Sequence, residues 1–426
     1  MASSLFRVVD HTVECQHVRE YPGATLSGED EVLHLAVKQY IPKDNPNPQP
    51  GDVTILGAHA NGFPKELYEP LWEEILTRAN ADGFRIRSIW IADVAQQGHS
   101  GVLNEDLIGD DPSWNDHPRD LLHLINVMKM PRPIVGIGHS MGGNHLCQVA
   151  YIHPRLMTTL ILIDPVIQLI ASTPPESGPS PAQMSTFRRD VWLSREEAAA
   201  SFKKSPFYKS WDPRVLDVWI KYGLRELPTP IHPEQDATAA TKQVTLTCTK
   251  HQEVFTFLRP NKEAYGVDGK PANRQTHPDI NPLQGVLSPF YRPEPPQVFL
   301  RLPELRPSVF YVFGGKSDVG PAVAIRDKMV RTGVGAGGSG GAKEGRVKQV
   351  TFDDIGHLIA MEVPGRTADH IVPWLGSEVK RWKEQEAAFK KDWMRKSVHE
   401  KRTISKETEK MMGGPRQRTP KSPSKL

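Results

Sequence analysis

The chain has 426 residues, enough for one large catalytic domain carrying an insertion and more than a string of small domains would need. A net charge of +3 with 24% charged residues gives no reason to expect nucleic acid as the main partner. Cys15, Cys147 and Cys248 are far apart and show no C-x-x-C spacing, so neither a disulfide framework nor a zinc site is expected, and the redox setting reads as reducing. Residues 1–10 lack a long apolar core, and the apolar stretch 160–170 is broken by Asp164 and Pro165, so no signal peptide or membrane span is expected.

Segments 6–18 and 33–41 alternate apolar and polar residues, which predicts two strands on one edge of a sheet. After a proline-rich turn, 53–58 is a continuous apolar run and predicts a buried strand that delivers the chain into His59-Ala60-Asn61-Gly62-Phe63-Pro64. An amphipathic helix is predicted over 67–80, a buried strand over 86–91, a loop at Gln97-Gly98-His99-Ser100, and a helix over 114–128. Then come Ile134 to Gly143, IVGIGHSMGG: four strand-forming residues, a turn with Ser140 at its apex between Gly138 and Gly142, and a small-residue helix start. A G-x-S-x-G turn between strand and helix presents its serine as a nucleophile, and the glycines are needed because side chains there would collide with neighbouring backbone. A further strand is predicted over 158–163, ending at Asp164-Pro165, and the alternation is that of a doubly wound, mostly parallel α/β sheet.

Alternation stops after 167. Residues 168–305 are rich in Pro, Ser and charge, with helical islands at 195–204, 214–222 and 247–258, and an insertion this long reads as a cap over the carboxyl ends of the strands. The core is expected to occupy 1–167 and 306–400, with strands at 308–313 and 347–352 and a helix over 368–396. Between those strands GAGGSG is a literal G-x-G-x-x-G, but it runs toward a strand and not into a helix, so it reads as a surface loop. From 401 onward eight Lys or Arg stand against Glu407 and Glu409, which predicts a disordered basic tail over 401–426. It closes on Ser424-Lys425-Leu426, the tripeptide of the C-terminal peroxisomal address, read by an import receptor.

A serine is inert without a general base oriented by an acid. His357 is the expected base, in the short loop Asp354-Ile355-Gly356-His357-Leu358 after the last strand; of the sixteen histidines, His139 is a buried neighbour inside the elbow and His59 lies beside the loop after the third strand. For the acid, Asp318 follows the next-to-last strand and Asp164 ends the strand after the elbow helix; residue position alone leaves both open and tilts toward Asp318. In hydrolases of this layout the loop after the third strand often reads H-G-x-P and gives one backbone N–H to an oxyanion hole, so Phe63 and Met141 are the expected donors, with Asn61 standing where histidine is common.

Several stretches resemble the fungal peroxisomal acyl-CoA hydrolases of mycophenolic acid biosynthesis and their relatives: REYPGATL, VKQYIPK, PKELYEPLWEE, IWIADVA, MPRPIVGIGHSMGGN, LILIDPVIQLI, SPFYRPEPP and IGHL, over about 6–391. A looser likeness extends to peroxisomal hydrolases of fungal host-selective toxin pathways. The resemblance implies an α/β-hydrolase fold with a Ser140, Asp164, His357 triad, the acid moving to Asp164 because that family uses the aspartate of its LLDP-type segment. It implies hydrolysis of an acyl-CoA thioester in the peroxisomal matrix, without metal or redox cofactor. The alternatives are a carboxylesterase or lipase with the same triad, and a non-catalytic binding protein, against which Ser140 and His357 in their strand contexts argue. Arg188-Arg189 and Lys203-Lys204 are candidate cations for the phosphates of coenzyme A. Self-association as a homodimer stays open.

Overall fold

A computed structural model describes residues 4–169, 180–233, 242–260, 277–280, 290–319 and 321–414. The alternating N-terminal segments form β1 (Phe6–Glu14) and β2 (His34–Pro42), paired antiparallel in unbroken register from Phe6 opposite Pro42 to Glu14 opposite His34. The apolar runs that follow become β3 (Val53–Ala58), β4 (Ile86–Ala92), β5 (Ile134–His139) and β6 (Met157–Ile163). Helices α1 (Glu69–Ala79), α2 (Gly98–Leu103), α3 (Asp116–Val127) and α4 (Met141–Ile152) connect or flank them. The segment Gln97 to Ser100, expected as a loop, is instead the N-cap and first turn of α2: Gly98 takes φ +54 with Asp93 packed where a Cβ would stand, and Ser100 is drawn in to bond the backbone of Asp93 and Ala36.

In the insertion α5 (Pro181–Phe187), β7 (Val191–Trp192), α6 (Arg195–Lys204), α7 (Pro206–Lys209), α8 (Pro213–Tyr222), β8 (Leu224–Glu226), β9 (Val244–Leu246) and α9 (Lys250–Phe257) follow, then β10 (Arg259–Pro260) and β11 (Phe290–Tyr291). The expected islands are present as α6, α8 and α9, each opened by a Ser, Asp or Thr side chain that accepts a first-turn N–H. A three-stranded sheet ordered β7-β9-β8, too short to leave a period-two signature, was not anticipated. The chain returns to the core through α10 (Glu294–Arg301), β12 (Ser308–Gly314), α11 (Ala322–Arg331), β13 (Val347–Phe352), α12 (Ile359–Glu362) and α13 (Pro364–Arg395).

The main sheet runs β1-β2-β4-β3-β5-β6-β12-β13, antiparallel at the β1-β2 and β2-β4 pairs and parallel from β4 onward. Both faces are covered, so its inner strands are apolar on both sides. On β6, Ile161 and Ile163 join the cluster under α1 and α13, while Leu160 and Leu162 join the one with α3, α4 and α10. Val298, Phe299, Leu302 and Leu305, placed in the insertion by composition, belong to that second core cluster.

Met1–Val379 and Lys380–Leu426 are separate units. In the second, Lys406–Met412 forms α14, capped by Ser405, where composition suggested no structure. Ser424, Lys425 and Leu426 lie outside the described residues. No helix among the described residues is long and apolar enough to cross a membrane.

Candidate active site

β5 carries the chain to Ser140, which takes φ 56 and ψ −118, a region costly for any residue with a Cβ. The surroundings hold it there: Ser140 N–H donates to Ile163 O at 2.9 Å, and Ser140 O accepts from Gly143 and Val166 N–H at 3.1 Å each. The flanking glycines are needed for space. A Cβ on Gly138 would lie 2.5 Å from Gly142 O, and one on Gly142 would lie 2.1 Å from Ala58 O, so the end of β3 crosses directly over the first turn of α4.

His357 sits in the turn after β13 with Nε2 2.9 Å from Ser140 Oγ and Nδ1 2.6 Å from Asp164 Oδ2. A carboxylate only accepts, so Nδ1 carries the proton and Nε2 is left to accept from the serine hydroxyl. Asp164 ends β6 at φ 39 and is buried, its N–H on Val312 O at 2.7 Å. Its Oδ2 also accepts from Ser317 Oγ, and its Oδ1 lies 3.5 Å from Gly314 N.

A second chain of bonds runs beneath. His139 donates Nε2–H to His357 O at 2.9 Å, which leaves Nδ1 to accept from the Tyr68 hydroxyl at 3.0 Å; that hydroxyl accepts Ala60 N–H at 2.8 Å. Burial, with His357 beside it, pulls the His139 pKa down to about 3, so the imidazole stays neutral as this chain requires. Beyond Ala60 the loop turns back: Phe63 N–H makes a long 3.3 Å bond to Ala60 O, and Gly62 N–H donates to Gln97 Oε1 at 2.9 Å. Met141 opens α4, and its N–H is among those a helix cannot satisfy internally.

Ser140, His357 and the buried Asp164 are joined in series at the ends of β5, β13 and β6 in the parallel part of the sheet. The model of the alpha/beta hydrolase family fits residues 55–370. The chain belongs to the alpha/beta hydrolase family. This hydrolase is 44% identical over 405 residues to a type I acyl-CoA thioesterase of Penicillium roqueforti, covering 91% of each chain. It is 43% identical over 413 residues to another type I acyl-CoA thioesterase, of Penicillium brevicompactum, covering 92% of each. Among solved structures, the peroxisomal alpha-beta-hydrolase Lpx1 of Saccharomyces cerevisiae superposes with a TM-score of 0.64 at 16% identity, covering 96% of this chain and 95% of that one, a likeness of fold.

In the hydrolase, Ser140, Asp164 and His357 come together and Asp318 does not. Asp318 is exposed, and it is its neighbour Ser317 that reaches the site. The Gly-Gly-Lys-Ser-Asp segment therefore reaches the site through the Ser317 hydroxyl and not through the Asp318 carboxylate. Of the candidate cations, Arg188 is paired with Glu253 and Arg189 with Glu197 at 2.8 Å, whereas Lys203 and Lys204 are exposed. His59 is buried, its Nδ1 on Ala60 O at 2.8 Å and its Nε2 accepting Val94 N–H at 2.9 Å. Beside it His117 and His145 are buried with ring centroids 5.1 Å apart, and among the described residues none of their ring nitrogens has a hydrogen-bond partner. Among the described residues no group of three or more His, Cys, Asp or Glu is arranged to hold a metal ion. The roles of Tyr68, His139 and Ser317 had no local signature; each is an ordinary residue made relevant by the fold.

Proposed function

We propose that this hydrolase cleaves acyl-CoA thioesters to the free acid and coenzyme A, with Ser140 as nucleophile, His357 as general base and acid, and Asp164 as the group that fixes the imidazole tautomer. The observation that carries the chemistry is the serial geometry of 2.9 Å from Ser140 Oγ to His357 Nε2 and 2.6 Å from His357 Nδ1 to Asp164. The thioester class is supported by kinship along nine-tenths of the chain with relatives named acyl-CoA thioesterases.

Ser140 Oγ adds to the thioester carbonyl as its proton passes to His357 Nε2. The carbonyl oxygen becomes an oxyanion beside the N-terminus of α4, where the helix dipole and the Met141 N–H favour negative charge. Phe63 N–H is the proposed second donor, since its turn bond is long enough to be exchanged; one such donor is worth ~3 kcal/mol of barrier. Collapse breaks the C–S bond, and His357 returns the proton to the leaving thiolate. Water, deprotonated by His357, then attacks the acyl-Ser140 ester and releases the acid. The matrix of the peroxisome is the proposed site of action, with the import receptor as the proposed partner; the Ser424-Lys425-Leu426 tripeptide, the address that receptor reads, supports this.

The test is a panel of acyl-CoAs and the methyl esters of the same acids, assayed with purified protein and with Ser140→Ala. The expected result is turnover of CoA thioesters well above the matched esters, lost by roughly 10⁴-fold or more in the variant. Equal or better ester turnover would make the protein a carboxylesterase.

A further inference from the structure

The loop proposed to receive the oxyanion is gripped by the cap on two sides. On one, the Phe63 ring packs edge-on against Trp211 and Trp219, with centroids 5.7 and 6.1 Å away. On the other, Gln97 stands between the loop and α9 with every polar atom of its side chain in use. Its Oε1 accepts Gly62 N–H at 2.9 Å; its Nε2 donates to Asn61 Oδ1 and, at 2.9 Å, to Thr256 Oγ1 on α9. Asn61 completes the junction by donating Nδ2–H to Glu253 O at 3.0 Å. Gln97, Thr256 and Asn61 are all buried, and Glu253 lies so close that a Cβ on Gly62 would meet its carboxyl carbon at 2.6 Å.

Two features make this more than packing. Asn61 occupies the position where the H-G-x-P pattern has histidine, and both ends of its amide are spent on the cap junction. Gly62, at φ +82, is held by a side-chain amide in place of a backbone partner, so the direction of the next peptide, which carries Phe63 N–H, depends on Gln97. A donor misplaced by about 1 Å loses most of its effect on a developing charge.

We infer that Gln97 is a positioning residue that fixes the oxyanion loop against α9, which makes this part of the cap a working component of the site and not a lid that swings clear. The inference rests on the serine-hydrolase reading above. Its consequence is selective: substrate can bind when the junction is broken, but the tetrahedral adduct is no longer stabilised. Substrate entry then falls to other parts of the cap.

The experiment measures two affinities for the full-length protein, its Gln97→Met, Thr256→Val and Thr256→Ser variants, and Ser140→Ala. S-dodecyl-CoA, a thioether, reports ground-state binding. Dodecyl methyl ketone carrying three fluorines on the methyl carbon reports the adduct: Ser140 Oγ adds to its carbonyl carbon, the proton goes to His357, and the carbonyl oxygen becomes the oxyanion. Gln97→Met and Thr256→Val should weaken ketone binding by ~10- to 100-fold and lower kcat for dodecanoyl-CoA in parallel, with thioether affinity and KM within ~3-fold of wild type. Thr256→Ser, which restores the hydroxyl, should recover both. Equal losses for the two probes, or no loss for either, would overturn the positioning role; failure of wild type to bind the ketone more tightly than Ser140→Ala would instead remove the hydrolase reading and this inference with it.

Discussion

His145 offers a quantitative check on how this core is built. It lies on α4, one turn after Met141, wholly buried between Trp114 at 6.0 Å and His117 at 5.1 Å, and burial pulls its pKa down to about 3. In the unfolded chain the same ring titrates near 6.5. Above that value neither state binds the proton, so the ring adds no pH dependence to stability. As pH falls below it, the unfolded chain takes up a proton that the native core refuses until about pH 3, so stability declines with falling pH throughout that window. At ~1.4 kcal/mol for each pH unit, two units of acidification below the unfolded value remove about 3 kcal/mol. His145→Phe abolishes this titration while keeping a ring of similar size; any packing change it brings is a constant offset. Urea unfolding followed by tryptophan fluorescence at neutral pH and about two units below 6.5 should show the variant gaining about 3 kcal/mol on wild type between the two conditions. Parallel stability curves would mean that the native ring does protonate, and that the site is open to water or a charged partner.

The remaining expectations concern the site and the address. Asp164→Asn should lower kcat by ~10⁴ while Asp318→Asn changes it less than ~3-fold; the opposite order would move the acid to the loop after β12. Ser317→Ala removes one hydrogen bond to the Asp164 carboxylate, so kcat should fall by ~5- to 20-fold with little change in KM, and an unchanged kcat would show that His357 and the backbone suffice to orient the acid. Deletion of Ser424-Lys425-Leu426 should leave turnover intact in vitro and shift an N-terminally tagged fluorescent fusion from puncta to cytosol; persistent puncta would indicate another route.

What could be read from sequence divides along the range of the interactions involved. β5 and the elbow were legible because their signal is local: an apolar run that must be a buried strand, then glycines where no Cβ fits, which the structure bears out at Gly138 and Gly142. The core helices and cap islands followed from periodicity and from capping residues such as Ser194 and Thr249. The acid was not legible in this way. Asp164 and Asp318 are both aspartates just past a parallel strand, and what separates them is that β6 is hydrogen-bonded between β5 and β12, so that the end of β6 emerges beside the elbow. That is a fact of strand order, which single-strand patterns do not encode, and only the resemblance pointed to Asp164. The cap junction is less legible still. Asn61 and Gln97 are 36 residues apart and bond across 192 and 159 residues to Glu253 and Thr256, and polar side chains of these types read as solvated until a fold buries them. Once buried, each must find a partner: Asn61, Gln97 and Thr256 bond one another, the Gly62 N–H and the α9 carbonyls of Gln252 and Glu253, while the Glu253 carboxylate is taken up by Ser185 and Arg188. Burial thus turns four unremarkable residues into a geometric constraint on the site, so the least predictable part of the sequence is where the orientation of the reaction's charge-receiving group is decided.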